Sequence, residues 1–465
     1  MQNYKRIFQI FFICVALFAV GKMIFEVFEL YNSDFFTYIF NPEKSVYVSY
    51  GSDLILKNEL TRIYRHDLVA FVFYACLLVV GILMKIFVTH KPTISFLWKT
   101  SWIVAAVNVV AIFLMCWIAL EYASNHEIEK IIHNEAELDE FKMAEKADSK
   151  SALKDQKTTF IPAGMFVQSV EFTSANNLLL TGYVWQRYDH NEDHDTTKIR
   201  QGFVFPEATA TEIKSAYKKV YKDYTVYGWH IQATIRESFS YSHYPFDFQN
   251  LWVRMWHVDF EKNIILVPDL QAYKNIETSA KLGIEEKLVL PGWKIKEAFF
   301  GYMYNNYNTN FGMSDYVGQK GFPELYYCML IQRDFMSTFI SEMVPIVMVM
   351  LILFICVLVA YDEAEDSFFR FNVMELLSLM AAVIFVILLG QLDLRRKIPS
   401  GDILYLEYYY FVIYFVIFGI LLNYIIINHF KKLKLVTFGD NVLIKILYLP
   451  CVLSFILWAT YYVFG

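Results

Sequence analysis

The densest run of titratable side chains is His190-Asn191-Glu192-Asp193-His194-Asp195, and the chemistry open to it would be metal binding. Its spacing fits neither an EF-hand calcium loop nor a zinc motif, so it reads as a solvated turn behind a strand. Of six cysteines, Cys14, Cys76, Cys116, Cys356 and Cys451 lie in apolar, helix-length stretches. Cys328 alone lies in the polar part, which therefore holds no internal disulfide. There is no CxxC, no Cys/His cluster at zinc spacing, and no GxSxG, HExxH, P-loop or GxGxxG in a fitting context. The chain is accordingly expected not to be an enzyme and to need neither metal nor cofactor.

The stretch Tyr244-Pro245-Phe246-Asp247-Phe248-Gln249-Asn250-Leu251 is more informative. Proline fixes φ and donates no hydrogen bond, so Pro245 marks a loop and not a strand interior. The flanking runs, Trp229 to Arg236 and Leu251 to Trp256, alternate apolar and polar residues as half-buried strands do. An aromatic-Pro-aromatic-Asp loop thus joins two strands.

The elements around this loop belong to a membrane protein with a sizeable polar domain. Of 465 residues, 56% are hydrophobic and 18% aromatic, with a mean hydropathy of +0.35, which excludes disorder and suits membrane spans. The formal charge of −6 comes without a basic stripe, so no nucleic-acid partner is expected. Seven segments reach the ~20 apolar residues a bilayer requires: 7–30, 68–89, 97–121, 336–360, 371–394, 403–428 and 442–464. The first follows Lys5 and Arg6 without a clear cleavage site and is expected to be a retained helix. With the polar block outside, Lys5, Arg6, Lys85, Lys91, Lys431, Lys432 and Lys434 fall on the cytoplasmic side, while Arg395, Arg396 and Lys397 face outward against the positive-inside rule. The charged stretch 122–157 predicts a solvated helical stalk. From Phe160 the pattern turns to strands, with turns at Asn176-Asn177, Pro268-Asp269, Pro291-Gly292 and Gly318 to Gly321; residues 207–222 predict one short helix.

Several landmarks occur in order: Val184-Trp185-Gln186-Arg187-Tyr188-Asp189, then Tyr244 to Leu251, then Pro323-Glu324-Leu325-Tyr326 leading to Arg333. Pro345 and Ile398-Pro399 with Tyr405-Leu406-Glu407 follow. Over roughly 160–465 this set resembles the pentameric ligand-gated ion channels, the Cys-loop receptor superfamily. It resembles the prokaryotic type, because Leu251 stands where the second cysteine of the animal receptors' disulfide would be. Two features depart from the family: the stretch from Pro345 to Pro399 is about ten residues longer than usual, and three extra helices precede the shared part.

The expected architecture is an α+β membrane protein: hydropathy and charge give an N-terminal three-helix membrane module (1–122, with an outward loop 31–67) and a charged helical stalk (123–157), and the resemblance implies an extracytoplasmic immunoglobulin-like β-sandwich (158–335) and a four-helix transmembrane domain (336–465). Pro245, Phe246 and Asp247 would form the gating joint with Arg333 and Pro399, the charged pair meeting beside Pro399. Counted back from Pro399, the pore helix presents Glu375, Ser378, Ala382, Phe385, Leu389 and Leu392 on one face. Counted forward from Arg333, Asp362, Glu363, Glu365 and Asp366 come to its mouth instead. Either register puts acids there, which favours cations. Ligand-wall positions would be Trp256, His257, Tyr304, Tyr307, Phe311 and Tyr316 on one side and Trp185 with Arg187 on the other, an aromatic set suited to a cationic amine.

The expected function is a homopentameric, ligand-gated, cation-favouring channel in a bacterial inner membrane, with lipid and a small-molecule or ion ligand as partners. The alternative is a non-conducting membrane receptor that keeps the channel fold and signals through partners.

Overall fold

The computed structural model describes residues 19–25, 65–82, 93–121, 128–147, 158–190, 199–273, 281–313, 320–359, 373–429 and 441–465. Ten strands lie among them. They are β1 (Lys130–Ile132), β2 (Thr159–Phe172), β3 (Asn177–Asp189), β4 (Phe203–Val204), β5 (Ala208–Val220), β6 (Tyr224–Arg236), β7 (Phe248–His257), β8 (Ile264–Pro268), β9 (Trp293–Asn306) and β10 (Lys320–Arg333). They form two five-stranded sheets, ordered β1-β9-β10-β7-β4 and β5-β6-β3-β2-β8. Period-two alternation decides which face is buried. Leu251, Val253 and Met255 of β7, with Leu325, Tyr327, Met329 and Ile331 of β10, point into a core shared with Leu178, Leu180 and Val184 of β3. The intervening residues Trp252, Tyr326 and Cys328 belong to a second, smaller cluster on the opposite face of the first sheet.

Two sequence expectations are corrected. Residues 208–220 are a strand, not a helix; β5 pairs antiparallel with β6 along its length, Ala208 facing Ile235 and Val220 facing Thr225. Its Ala, Glu and Lys content favours a helix, but pairing with a hydrogen-bonded neighbour overrides that weak propensity. Nor is 123–157 a free stalk over its described residues. β1 adds to the free edge of β9, Lys130 opposite Tyr302, and the helix Glu135–Ala147 buries Leu138 and Phe141 in the sandwich core. Phe141 stacks on Tyr302 at 4.1 Å. The apolar residues of this segment are therefore a docking face.

Among the described residues six helices are long and apolar enough to cross a membrane: Arg65–Ile82, Ile94–Leu120, Phe335–Val359, Met374–Lys397, Tyr405–Ile427 and Val442–Phe464. The chain thus fits a multi-pass membrane protein of mixed α+β type. The first expected span, 7–30, is described only over 19–25, which are helical. The helices are α1 (65–82), α2 (Ile94–Glu121), α3 (Glu135–Ala147), α4 (Val344–Val359), α5 (Val373–Lys397), α6 (Tyr405–His429) and α7 (Val442–Phe464). A helical turn at Phe335–Thr338 and a π-turn at Phe339–Met343 lead into α4. The N-terminal helices pack on α7 through a polar seam. Ser101 Oγ donates to the Ile446 carbonyl at 2.6 Å, Asn108 Nδ2 donates to Ser454 Oγ at 3.0 Å, and Phe73 stacks on Tyr461 at 4.3 Å. Such bonds hold helices together where lipid gives no hydrophobic drive for association.

Candidate functional site

The loop between β6 and β7 is seated on helix ends. Phe246 stacks on Phe335 at 4.9 Å, with Tyr405 at 6.0 Å and Phe464 at 6.1 Å. His243 lies 5.2 Å from Phe464, and the Tyr405 N–H donates to the Ser242 carbonyl at 2.8 Å. Three helices, at the starts of 335–359 and α6 and the end of α7, therefore meet one loop. Pro245 follows Tyr244 through a cis peptide bond.

Asp247 and Arg333 form the expected pair. Arg333 Nε donates to Asp247 Oδ1 at 2.5 Å and Nη2 to Oδ2 at 2.8 Å. The Arg333 backbone N–H donates to the Asp247 carbonyl at 3.2 Å. The Asp247 side chain is 1% exposed, a bidentate contact in reduced dielectric. The guanidinium lies between the rings of Tyr244 (4.7 Å) and Trp293 (4.0 Å). Burial opposes the Arg333 charge, but the Asp247 carboxylate outweighs it and holds the guanidinium above its ordinary pKa.

Pro399 is exposed; the linker's hydrogen bond to the loop segment comes from Tyr405, six positions further on. A clamp the sequence reading missed holds that linker. Arg395 grips Glu407 through two hydrogen bonds of 2.5 Å and donates to the carbonyls of Ser400 (2.6 Å) and Asp402 (3.0 Å). Glu407 also reaches back to the Leu404 N–H at 2.9 Å, as a capping-box carboxylate does. Lys397 pairs with Glu342 at 3.0 Å and Asp393 at 2.7 Å. Two of the three cations that violated the positive-inside pattern are therefore engaged in ion pairs. The signal was present: basic residues in the last turn of α5 and an acid in the first turn of α6 suit the helix dipoles.

On α5, Glu375, Ser378, Ala382, Phe385, Leu389 and Leu392 are all exposed in the single chain, while Leu376, Met380, Val383, Ile387 and Leu394 are buried. The expected positions thus lie on the part of α5 that this chain leaves uncovered, along with Leu377, Ile384, Val386 and Leu388. Asp362, Glu363, Glu365 and Asp366 lie outside the described residues.

The expected ligand-wall residues separate into groups. Trp256 meets Tyr307 at 5.7 Å and Phe311 at 6.1 Å, and Phe260 joins them. Trp185 and Arg187 lie on β3, in the other sheet; Trp185 Nε1 donates to Asp269 Oδ2 at 3.0 Å, and Arg187 pairs with Asp269 at 3.2 Å. Tyr304 instead donates to Glu145 of α3 at 2.8 Å. His257 is 2% exposed and lies 3.1 Å from the Tyr188 hydroxyl, so it faces the interior and not a ligand. Burial pushes its pKa down to about 4 against the opposing pull of Asp259. Tyr316 and most of the 190–195 run lie outside the described residues.

No protein-family model and no curated protein matches this chain. What it can do therefore rests on its own geometry: a charge-locked loop on three helix ends, a clamped linker, and an uncovered helix face. Among the described residues no cluster of three or more His, Cys, Asp or Glu side chains could hold a metal.

Proposed function

We propose that the chain is a subunit of a pentameric, ligand-gated, cation-favouring channel in a bacterial inner membrane, with an immunoglobulin-like sandwich on the extracytoplasmic side. The observation that carries this reading is the loop locked by Asp247 and Arg333 and seated on Phe335, Tyr405 and Phe464. A rigid loop touching three helix ends at once can bias two packings of those helices, which a ligand-driven gate requires. The exposed α5 face supports the reading, since an acid at one end and bulky apolar rings beyond it suit a dewetting gate. The Trp256 and Trp185 groups lie on different sheets, so they would share a ligand only across neighbouring copies.

The second reading, a non-conducting receptor of the same fold, draws support from the bulk of Phe385, Leu389 and Leu392, exposed at 61%, 49% and 47%. Imaging of purified particles and current recording in planar bilayers test both. Five-fold particles with cation current are expected. Five-fold particles that bind ligand without current favour the receptor, and any other symmetry overturns both.

A further inference from the structure

The helices α1 and α2 reach the joint as well as the bundle. α2 runs parallel to α7, because the bonded pairs Ser101 with Ile446 and Asn108 with Ser454 advance seven positions on one helix and eight on the other. About two turns of each helix are therefore in step. Asn108 is 1% exposed and ties three helices. Its Nδ2 donates to Ser454 of α7, and its Oδ1 accepts from Cys76 Sγ of α1 at 3.2 Å. On α1, Phe73 lies flat on the Tyr461 ring, 9° from parallel, and the Tyr74 and Tyr461 hydroxyls are 3.5 Å apart. In lipid a buried amide has no water to turn to, so Asn108 fixes the register of all three helices.

Two turns past Asn108 the seam arrives at the residue that holds the loop. Cys116 Sγ lies 4.0 Å from the Tyr405 hydroxyl, which is buried. Thr460 Oγ1 of α7 gives its proton to the Ile456 carbonyl at 2.8 Å. A hydroxyl carries one proton, so Tyr405 donates to Thr460 (2.8 Å) and accepts from Tyr409 (2.7 Å). The backbone N–H of the same Tyr405 donates to Ser242 of the loop, and its ring lies 5.0 Å from Phe464. The head of α1 acts on the loop directly. Burial, and after it the Arg65 guanidinium, hold His243 below its ordinary pKa.

We propose that α1 and α2 are a built-in restraint on the joint: their seam with α7 and α6 keeps Tyr405, and through it the 240–247 loop, seated, so that loosening the seam unseats the loop. The restraint concerns seating alone and stands whether or not the chain conducts.

The test is hydrogen–deuterium exchange, read by mass spectrometry on the full chain in detergent. In Asn108→Leu, peptides covering 240–247 and 402–409 should exchange about tenfold faster, the factor one lost buried hydrogen bond is worth. Peptides of β3 and β6 should keep the wild-type rate. Phe73→Leu removes the ring stack and keeps an apolar side chain. It should accelerate the same two peptides to a lesser degree, and it decides alone if Asn108→Leu fails to fold. Tyr448→Phe is the control: it removes a bond from α7 to the Met350 carbonyl (2.8 Å), outside the seam, and should leave both peptides unchanged. Unchanged exchange at 240–247 in the folded seam variants overturns the proposal. Equal acceleration by Tyr448→Phe, or acceleration that extends to β3 and β6, overturns it too, since the loop would then answer to any loosening of the chain.

Discussion

Arg333 and Arg254 are two partly buried guanidiniums on adjacent strands of one sheet, and they are set in opposite ways. Arg333 meets one carboxylate with both of its forks and has an aromatic ring on each face. Arg254 is shared between Glu207 and Glu324, keeps a buried Nε without a hydrogen-bond partner, and borders a cavity. A matched, stacked pair leaves nothing for a ligand to add, which suits the joint of the proposed channel. The shared cluster beside a cavity leaves volume unfilled and one donor of Arg254 without a partner.

The largest effect should come from breaking the matched pair. Asp247→Ala leaves Arg333 buried and unpaired, which costs about 3–5 kcal/mol, read as a lowered denaturation midpoint. Replacing both partners with apolar residues should recover most of that loss and, on the proposed function, abolish ligand-evoked current. Arg254→Met should cost less, about 1–3 kcal/mol at neutral pH, and less still at lower pH, where the Glu207 carboxyl that burial raises takes up a proton. Equal losses for the two arginines, with no pH dependence at Arg254, would erase the distinction.

A smaller effect follows from His257, which lies near Asp259 at the far end of β7. Its folded pKa of about 4 is below the unfolded ~6.5, so the unfolded chain binds more protons between those values. Its contribution is therefore intact above pH 6.5 and falls as the pH drops towards 4. About 1 kcal/mol should be lost between pH 7.5 and 5.5, and His257→Asn should remove that slope in a pH series of unfolding curves. The smallest effect is expected at Phe311, 44% exposed beyond the β9 end. Phe311→Ala should leave stability within about 0.5 kcal/mol while weakening any ligand held near Trp256; a larger stability loss would make that aromatic group core and not site.

The joint was legible in the sequence because its parts are local and chemically distinctive. A proline between aromatics, followed by an acid, marks a loop wherever it lies, and Arg333 closes the last strand before an apolar run. The clamp from Arg395 to Glu407 was less legible, because two charges flanking a linker look like solvated ends until the chain reverses between them. The cavity could not be read at all, since Glu207, Arg254 and Ile128 come from distant segments of the chain.

Taken alone, the sequence determined the local periods: two for the strands, long apolar runs for the helices, and a proline-bearing loop before the membrane-length segments. These follow from backbone geometry and hydropathy within a few neighbouring residues. Only the tertiary structure decided that 208–220 is a strand, that residues 128–147 dock on the sandwich, and that His257 is buried. It also set one arginine against a single acid and the other against two. Those outcomes depend on which distant surfaces meet, and hydrogen bonding and burial across such contacts outweigh the weak preferences written into each segment.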